Sequence, residues 1–208
     1  MTTPLVAGYD ATHANAGHLP AGHQAAGYTT GTPDIQWTAA DWAAHPGAVR
    51  ICQDFSASDI TADVLDVERG AATNGIAGHW YSLAARAWRA AARPGQRRPA
   101  IYTSASNVTP LVNALIAAGV LSGPGLWVAS WGTLPATAGQ DVADASGPFP
   151  IIGFQYASGP FYDSDWFSRA WLAGVSRTPV PVTSPAPAWV GKALADSEAL
   201  TALIKANS

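Results

Sequence analysis

Short apolar runs recur along the chain at wide spacing, each followed by a polar, Gly-rich or helix-patterned stretch. This alternation limits the fold more than any other feature. The runs predict strands at residues 5–10, 24–29, 49–53, 63–68, 99–103, 126–130, 151–156 and, in a shorter last run, 161–165. The middle runs are continuously apolar rather than alternating, which suits strands covered on both faces in a parallel sheet. Helical patterns fall between them. One opens at Thr38, a suitable N-cap, before Ala39-Ala40-Asp41-Trp42. A second spans 76–92 and stops before Pro94-Gly95. A third spans 106–121, with Pro110 in its first turn and Gly119 near its end. A short fourth covers 137–145. The expectation is a mixed α/β chain forming a compact (β/α)8 TIM-like barrel; an open doubly wound sheet is the alternative.

Composition narrows the choice. The chain has 208 residues, is 48% hydrophobic and only 12% charged, where an ordinary domain carries roughly 25% charge. Such a chain is not disordered, and 20 Gly with 16 Pro exclude a long helical bundle. No apolar run is long enough to span a membrane. A net charge of -3 gives no reason to expect nucleic acid. Arg93, Arg97 and Arg98, beside Pro94 and Gly95, read as a solvated turn. The single cysteine, Cys52, lies in an apolar run and reads as a buried, inert thiol. The first residues show neither a basic nor an apolar signal region, so the expectation is a protein without a signal peptide, made in the cytoplasm.

Composition changes near the end. Residues 1–177 carry the strand and helix patterns, 178–188 are Pro-rich and predict an extended linker, and 189–208 predict a helical tail. Both lysines, Lys192 and Lys205, lie in that tail.

The scarce charge is placed where chemistry would use it. In Asp63-Val64-Leu65-Asp66-Val67-Glu68, residues two apart share a face, so Asp66 and Glu68 point to the same side near a strand end. Two close acids cannot both ionise cheaply, and the one with the raised pKa can protonate a leaving oxygen. Asp10 closes the first run, and Asp163 and Asp165 sit in the last. In a barrel these ends meet at one rim. Tyr102, Trp127, Trp131, Gln155 and Tyr156 mark the same rim, and Tyr102, Trp131, Gln155, Tyr156 and Asp165 are the expected substrate-binding set: aromatic faces stack on sugars, and amides and carboxylates take hydroxyls. His13, His18 and His23, five residues apart in a loop, do not have metal-site spacing, so no metal is expected.

The order of short motifs resembles glycoside hydrolase family 25, the lysozyme-like enzymes, in a short form like those encoded by phages of actinobacteria. The resemblance rests on Gly8-Tyr9-Asp10, Leu65-Asp66-Val67-Glu68, Ile101-Tyr102-Thr103, Leu126-Trp127-Val128-Ala129, Gln155-Tyr156 and Asp163-Ser164-Asp165-Trp166-Phe167. It covers residues 5–172. Family 18 chitinases are a weaker match, through Asp63, Asp66 and Glu68. The resemblance implies cleavage of the β-1,4 bond between N-acetylmuramic acid and N-acetylglucosamine in peptidoglycan, without cofactor. It makes Glu68 the general acid/base and Asp66 the group that stabilises the charged intermediate. Asp10 and Asp163 complete the acidic set. The alternative is a catalytically weak or inactive glycan-binding or structural protein of a phage virion, joined to virion partners through residues 178–208.

Overall fold

The computed structural model describes residues 5–91, 95–131 and 147–174. Eight strands close into one barrel in chain order: β1 Leu5–Ala11, β2 Gln24–Tyr28, β3 Val49–Cys52, β4 Val64–Val67, β5 Ala100–Ser104, β6 Gly125–Ala129, β7 Ile151–Ser158 and β8 Asp163–Ser168. Each expected run overlaps one of these strands. Pairing of β1 with β8 closes the sheet, which removes the open doubly wound alternative.

Neighbours from β1 to β7 are parallel, but β8 is antiparallel to both β7 and β1. The last expected run therefore needs a correction: the strand starts at Asp163 rather than ending near it. The cause is the connection. Only residues 159–162 separate β7 from β8, and the Gly159 amide donates to the Tyr162 carbonyl at 2.9 Å. A parallel return needs a crossover of about a dozen residues or more, so this chain turns straight back.

Among the described residues the α-helices are α1 Ala39–Ala44 between β2 and β3, α2 Asn74–Ala91 between β4 and β5, α3 Val108–Ala117 between β5 and β6, and α4 Arg169–Leu172 after β8. A 3-10 segment, His13–His18, joins β1 to β2, and an irregular loop joins β3 to β4. The observed architecture is thus a mixed α/β closed barrel with few helices. Among the described residues, the ring of eight helices expected for a (β/α)8 barrel is not present. The expected helix at 137–145, the linker at 178–188 and the tail at 189–208 lie outside the described residues. The chain divides into units Met1–Val175 and Ser176–Ser208.

Local causes are visible in each element. Thr38 caps α1 as expected: its hydroxyl accepts from the Asp41 amide, and the Asp41 carboxylate accepts from the Thr38 amide at 2.7 Å. On α2, Ala77, Trp80, Tyr81, Ala84 and Ala85 form the buried stripe. Beyond α3, Gly119 takes φ +79°, a conformation that costs glycine little.

Inside the barrel, Ala26, Ile51, Val64, Tyr102, Trp127 and Phe167 belong to one core cluster. Gly8 and Gly153 leave room for the Phe167 ring. A Cβ at Gly8 would lie 2.6 Å from Phe167 Cε2, and one at Gly153 would lie 3.1 Å from Cδ1. At the barrel's other end, Arg97 is buried, which corrects the solvated-turn expectation. Its Nη1 lies 3.3 Å from Asp63 Oδ2, and its Nη2 donates to the Gly47 carbonyl at 2.6 Å. Arg98 is exposed as expected, and Arg93 lies outside the described residues.

A candidate active site at the acidic mouth of the barrel

The direction of each strand decides which acids meet. β1 and β4 bring Asp10 and Asp66 to the mouth near their C-terminal ends. Glu68 follows β4 by one residue. β8 runs the other way, so its first residue, Asp163, stands at the same mouth, paired in register with Asp10. The reversed strand thus delivers the acid that the sequence placed at a strand end.

These acids are wired differently. Asp10 is buried, and its Oδ2 accepts from Gln155 Nε2 at 2.8 Å. The same Nε2 lies 3.3 Å from Asp163 Oδ2. Gln155 Oε1 accepts the Tyr102 hydroxyl at 2.7 Å. Asp66 is also buried; its Oδ2 accepts from Gln53 Nε2 at 3.0 Å, while among the described residues its Oδ1 has no hydrogen-bond partner. Glu68 is exposed over the residue as a whole, and Asp163 is half-buried.

Electrostatics follows from burial among like charges. Burial, then the charge of Asp163, pushes the Asp10 carboxyl up to about 7, against the hydrogen bonds from Gln155 and Asp165. Burial, then the charge of Glu68, pushes Asp66 up to about 7. Glu68 is raised above the usual carboxylate range by partial desolvation of its carboxyl end and then by Asp163. Burial raises Asp163 as well. The group as a whole holds protons that separate carboxylates would release.

Two expected substrate contacts are displaced. Asp165 has no exposed surface and accepts from Trp127 Nε1 at 3.2 Å, so it lies beneath the mouth rather than at it. Tyr156 follows Gln155 on the opposite face of β7 and stacks on Trp166, with ring centroids 6.3 Å apart. Gln155 and Tyr102 do face the acids, but both are buried and act through hydrogen bonds. Trp131 follows β6 and is 54% exposed.

Four residues enter the site without having been expected there. Tyr28 ends β2 among the acids, and burial, then the charges of Asp10 and Asp66, push its phenol well up. Its signal was available, since Ala26 and Tyr28 alternate on one face. Gln53 holds Asp66 from just beyond β3. Phe55 and Phe161 stand exposed at the same end of the barrel, after β3 and in the β7–β8 turn, and the Phe161 ring stacks on His18 at 4.1 Å. A cavity of about 160 Å³ lies between Phe161, Tyr162, Asn15, Tyr28, Asp10 and Asp163.

The remaining candidates separate. Asp63 is at the far end with Arg97, so the three acids behind the chitinase comparison do not converge. His13 bonds Asp41 at 2.7 Å, His18 stacks on Phe161, and His23 Nδ1 donates to the Ala21 carbonyl at 3.1 Å. No group of three metal-ligating side chains occurs among the described residues. Cys52 is buried, and desolvation followed by Asp59 and Asp54 pushes its thiol far up, as an inert thiol requires. No helix among the described residues is long and apolar enough to cross a membrane.

No protein-family model, curated protein or solved structure matches this chain.

Proposed function

We propose that this chain is a peptidoglycan-directed glycoside hydrolase on a compact barrel of the (β/α)8 type, cleaving the β-1,4 bond between N-acetylmuramic acid and N-acetylglucosamine. The observation that carries the reading is the meeting of Asp10, Asp66, Glu68 and Asp163 at one mouth, with every carboxyl raised. Glu68 is the general acid/base because it alone of the β4 pair is exposed. Its proton passes to the glycosidic oxygen as the C1–O bond breaks. The positive charge left at C1 is stabilised by the neighbouring carboxylates, Asp66 first. Water then adds at C1 and returns a proton to Glu68. Asp10 and Asp163 set the field in which Glu68 holds its proton. The reaction calls for no metal and no organic cofactor.

One observation favours a second reading, a glycan-binding or structural protein of a virion without turnover. The cavity beside Asp10 and Asp163, about 160 Å³, is smaller than the ~300 Å³ at which ligand pockets begin. Binding would then rest on exposed Phe55, Trp131 and Phe161, and virion partners would engage residues 178–208.

Release of reducing ends from purified actinobacterial cell wall separates the two. The hydrolase reading expects release by the wild type and at least a hundredfold less by Glu68→Gln, the usual scale of general acid/base catalysis. Equal, background-level release by both removes it. Sedimentation with the same cell wall in the absence of release supports the second reading.

A further inference from the structure

One interior acid is left over by the chemistry above. Asp165 on β8 is fully buried. Its Oδ1 accepts from Trp127 Nε1, and among the described residues its Oδ2 meets no N–H or hydroxyl donor. The register places Asp165 opposite Gly8 on β1 and opposite Gln155 on β7. Two residues along β1 from Gly8, and so on the same face, is Asp10, whose carboxyl is buried in the barrel like that of Asp165. Ionised carboxylates only accept hydrogen bonds, so a bond between two of them requires a proton on one.

We infer that Asp165 carries that proton and donates it to Asp10, acting as a positioning residue that holds Asp10 as a single carboxylate facing the mouth. Asp10 is then gripped by two donors, Gln155 Nε2 and the Asp165 hydroxyl. The pair bears one negative charge instead of two.

Among the described residues named around the pair, none is a cation. The groups that face the pair are Tyr28 on β2, Asp66 and Glu68 from β4, Tyr102 on β5 and Asp163 on its own strand. β3, β6 and β7 bring Ile51, Trp127 and Gln155, which carry no charge. Each of these groups is an acid, a phenol or neutral, so none offers Asp165 a positive partner. A buried anion with one orphaned oxygen among like charges is costly. The neutral acid removes the charge and turns the orphaned oxygen into a donor.

The proton does not depend on what the mouth binds, but its catalytic consequence rests on the hydrolase reading, so the test has two arms. Infrared difference spectra follow the carbonyl stretch of protonated carboxyls at about pH 8.5, above the range where Asp10 and Asp66 titrate. The expected result is a protonated-carboxyl band in the wild type that survives in Asp66→Asn and disappears in Asp165→Asn. No such band in the wild type at that pH overturns the inference, and so does a band that persists in Asp165→Asn. If Asp165→Asn fails to fold, Asp165→Leu takes its place: the band should vanish there too, and its persistence overturns the inference.

In the second arm, Asp165→Asn keeps an oxygen for Trp127 and an N–H for Asp10. It should rescue the neutral-pH rate of reducing-end release and lose only the alkaline limb that Asp165 ionisation causes. Asp165→Leu, with neither group, should fall about tenfold or more. A wild-type pH profile in Asp165→Leu overturns the positioning role. Absence of release from every protein, wild type included, removes the hydrolase reading and leaves the infrared result to decide the proton.

Discussion

Gln155 reaches from β7 to Asp10 on β1, donating Nε2 to Oδ2 at 2.8 Å while its own Oε1 takes the Tyr102 hydroxyl at 2.7 Å. One amide thus joins three strands beneath the mouth and uses both of its ends. Gln155→Met has a similar length and neither function, so it strands a buried carboxyl oxygen and a buried hydroxyl. Leaving such a group unpaired costs about 1–3 kcal/mol. Urea unfolding near neutral pH should show a loss of that order. A midpoint unchanged from wild type would mean that the link is not used.

Stability should fall as pH rises through neutrality. Asp10 and Asp66 each go from an ordinary 3.8 to about 7 on folding. A raised carboxyl binds its proton more tightly in the folded state, so its contribution is complete below about pH 4 and is lost as pH rises through about 7. Asp41 and Asp54 work the other way. Desolvation alone would raise both, but Thr38 and His13 outweigh it at Asp41, and the Asp59 and Ser56 amides outweigh it at Asp54. Those two contributions disappear as pH falls through the acid range. Melting temperature should therefore peak in weakly acidic buffer and drop from about pH 5 to 8. Asp66→Asn should flatten that drop. A melting temperature that climbs over the same interval contradicts the assignment.

The barrel was legible because its strands are apolar for a local reason: burial on both faces leaves continuous runs such as Leu126-Trp127-Val128-Ala129. The reversal of β8 was not, because strand direction depends on the length of the connection, and apolar runs at 151–156 and 161–165 do not show whether the chain turns straight back between them. That one reversal moved Asp163 to the mouth and Asp165 beneath it. The helix patterns opening at Thr38 and spanning 76–92 and 106–121 were legible for the same local reason and meet α1, α2 and α3, whereas the 3-10 segment His13–His18 lies in what reads as a loop. Asp10, Asp66 and Glu68 were found because charge at the end of an apolar strand is locally unexpected. Gln53 and Tyr28 were missed because a neutral polar residue there is ordinary until its partner is known.

Aromatic exposure at the mouth should report on glycan binding separately from folding. Phe55, Trp131 and Phe161 are 59%, 54% and 45% exposed, so truncating them removes little packing. Trp131→Ala and Phe161→Ala should each leave the melting temperature within about 2 °C of wild type, as surface substitutions usually do. Both should lower the fraction that sediments with cell-wall glycan. Loss of folding without loss of binding would assign these rings to the core instead.

The far end of the barrel gives the largest expected stability loss. Asp63 is fully buried and accepts from the Arg50 amide at 3.1 Å, the Arg97 amide at 3.1 Å and Arg97 Nη1 at 3.3 Å. Arg97 also ties the Gly47 and Ala48 carbonyls to the start of β4. Arg97→Met removes the positive charge and keeps Asp63 buried, which costs about 3–5 kcal/mol when one partner of such a pair is lost. Asp63→Asn in the same chain removes the stranded charge while keeping an oxygen for a backbone amide. The double variant should therefore recover part of the loss, and the recovered part is the coupling between the two side chains. Urea unfolding of the four proteins at one pH measures it. Equal losses in the single Arg97→Met and the double variant would show that Asp63 is held by the amides alone, with the guanidinium serving only the Gly47 and Ala48 carbonyls.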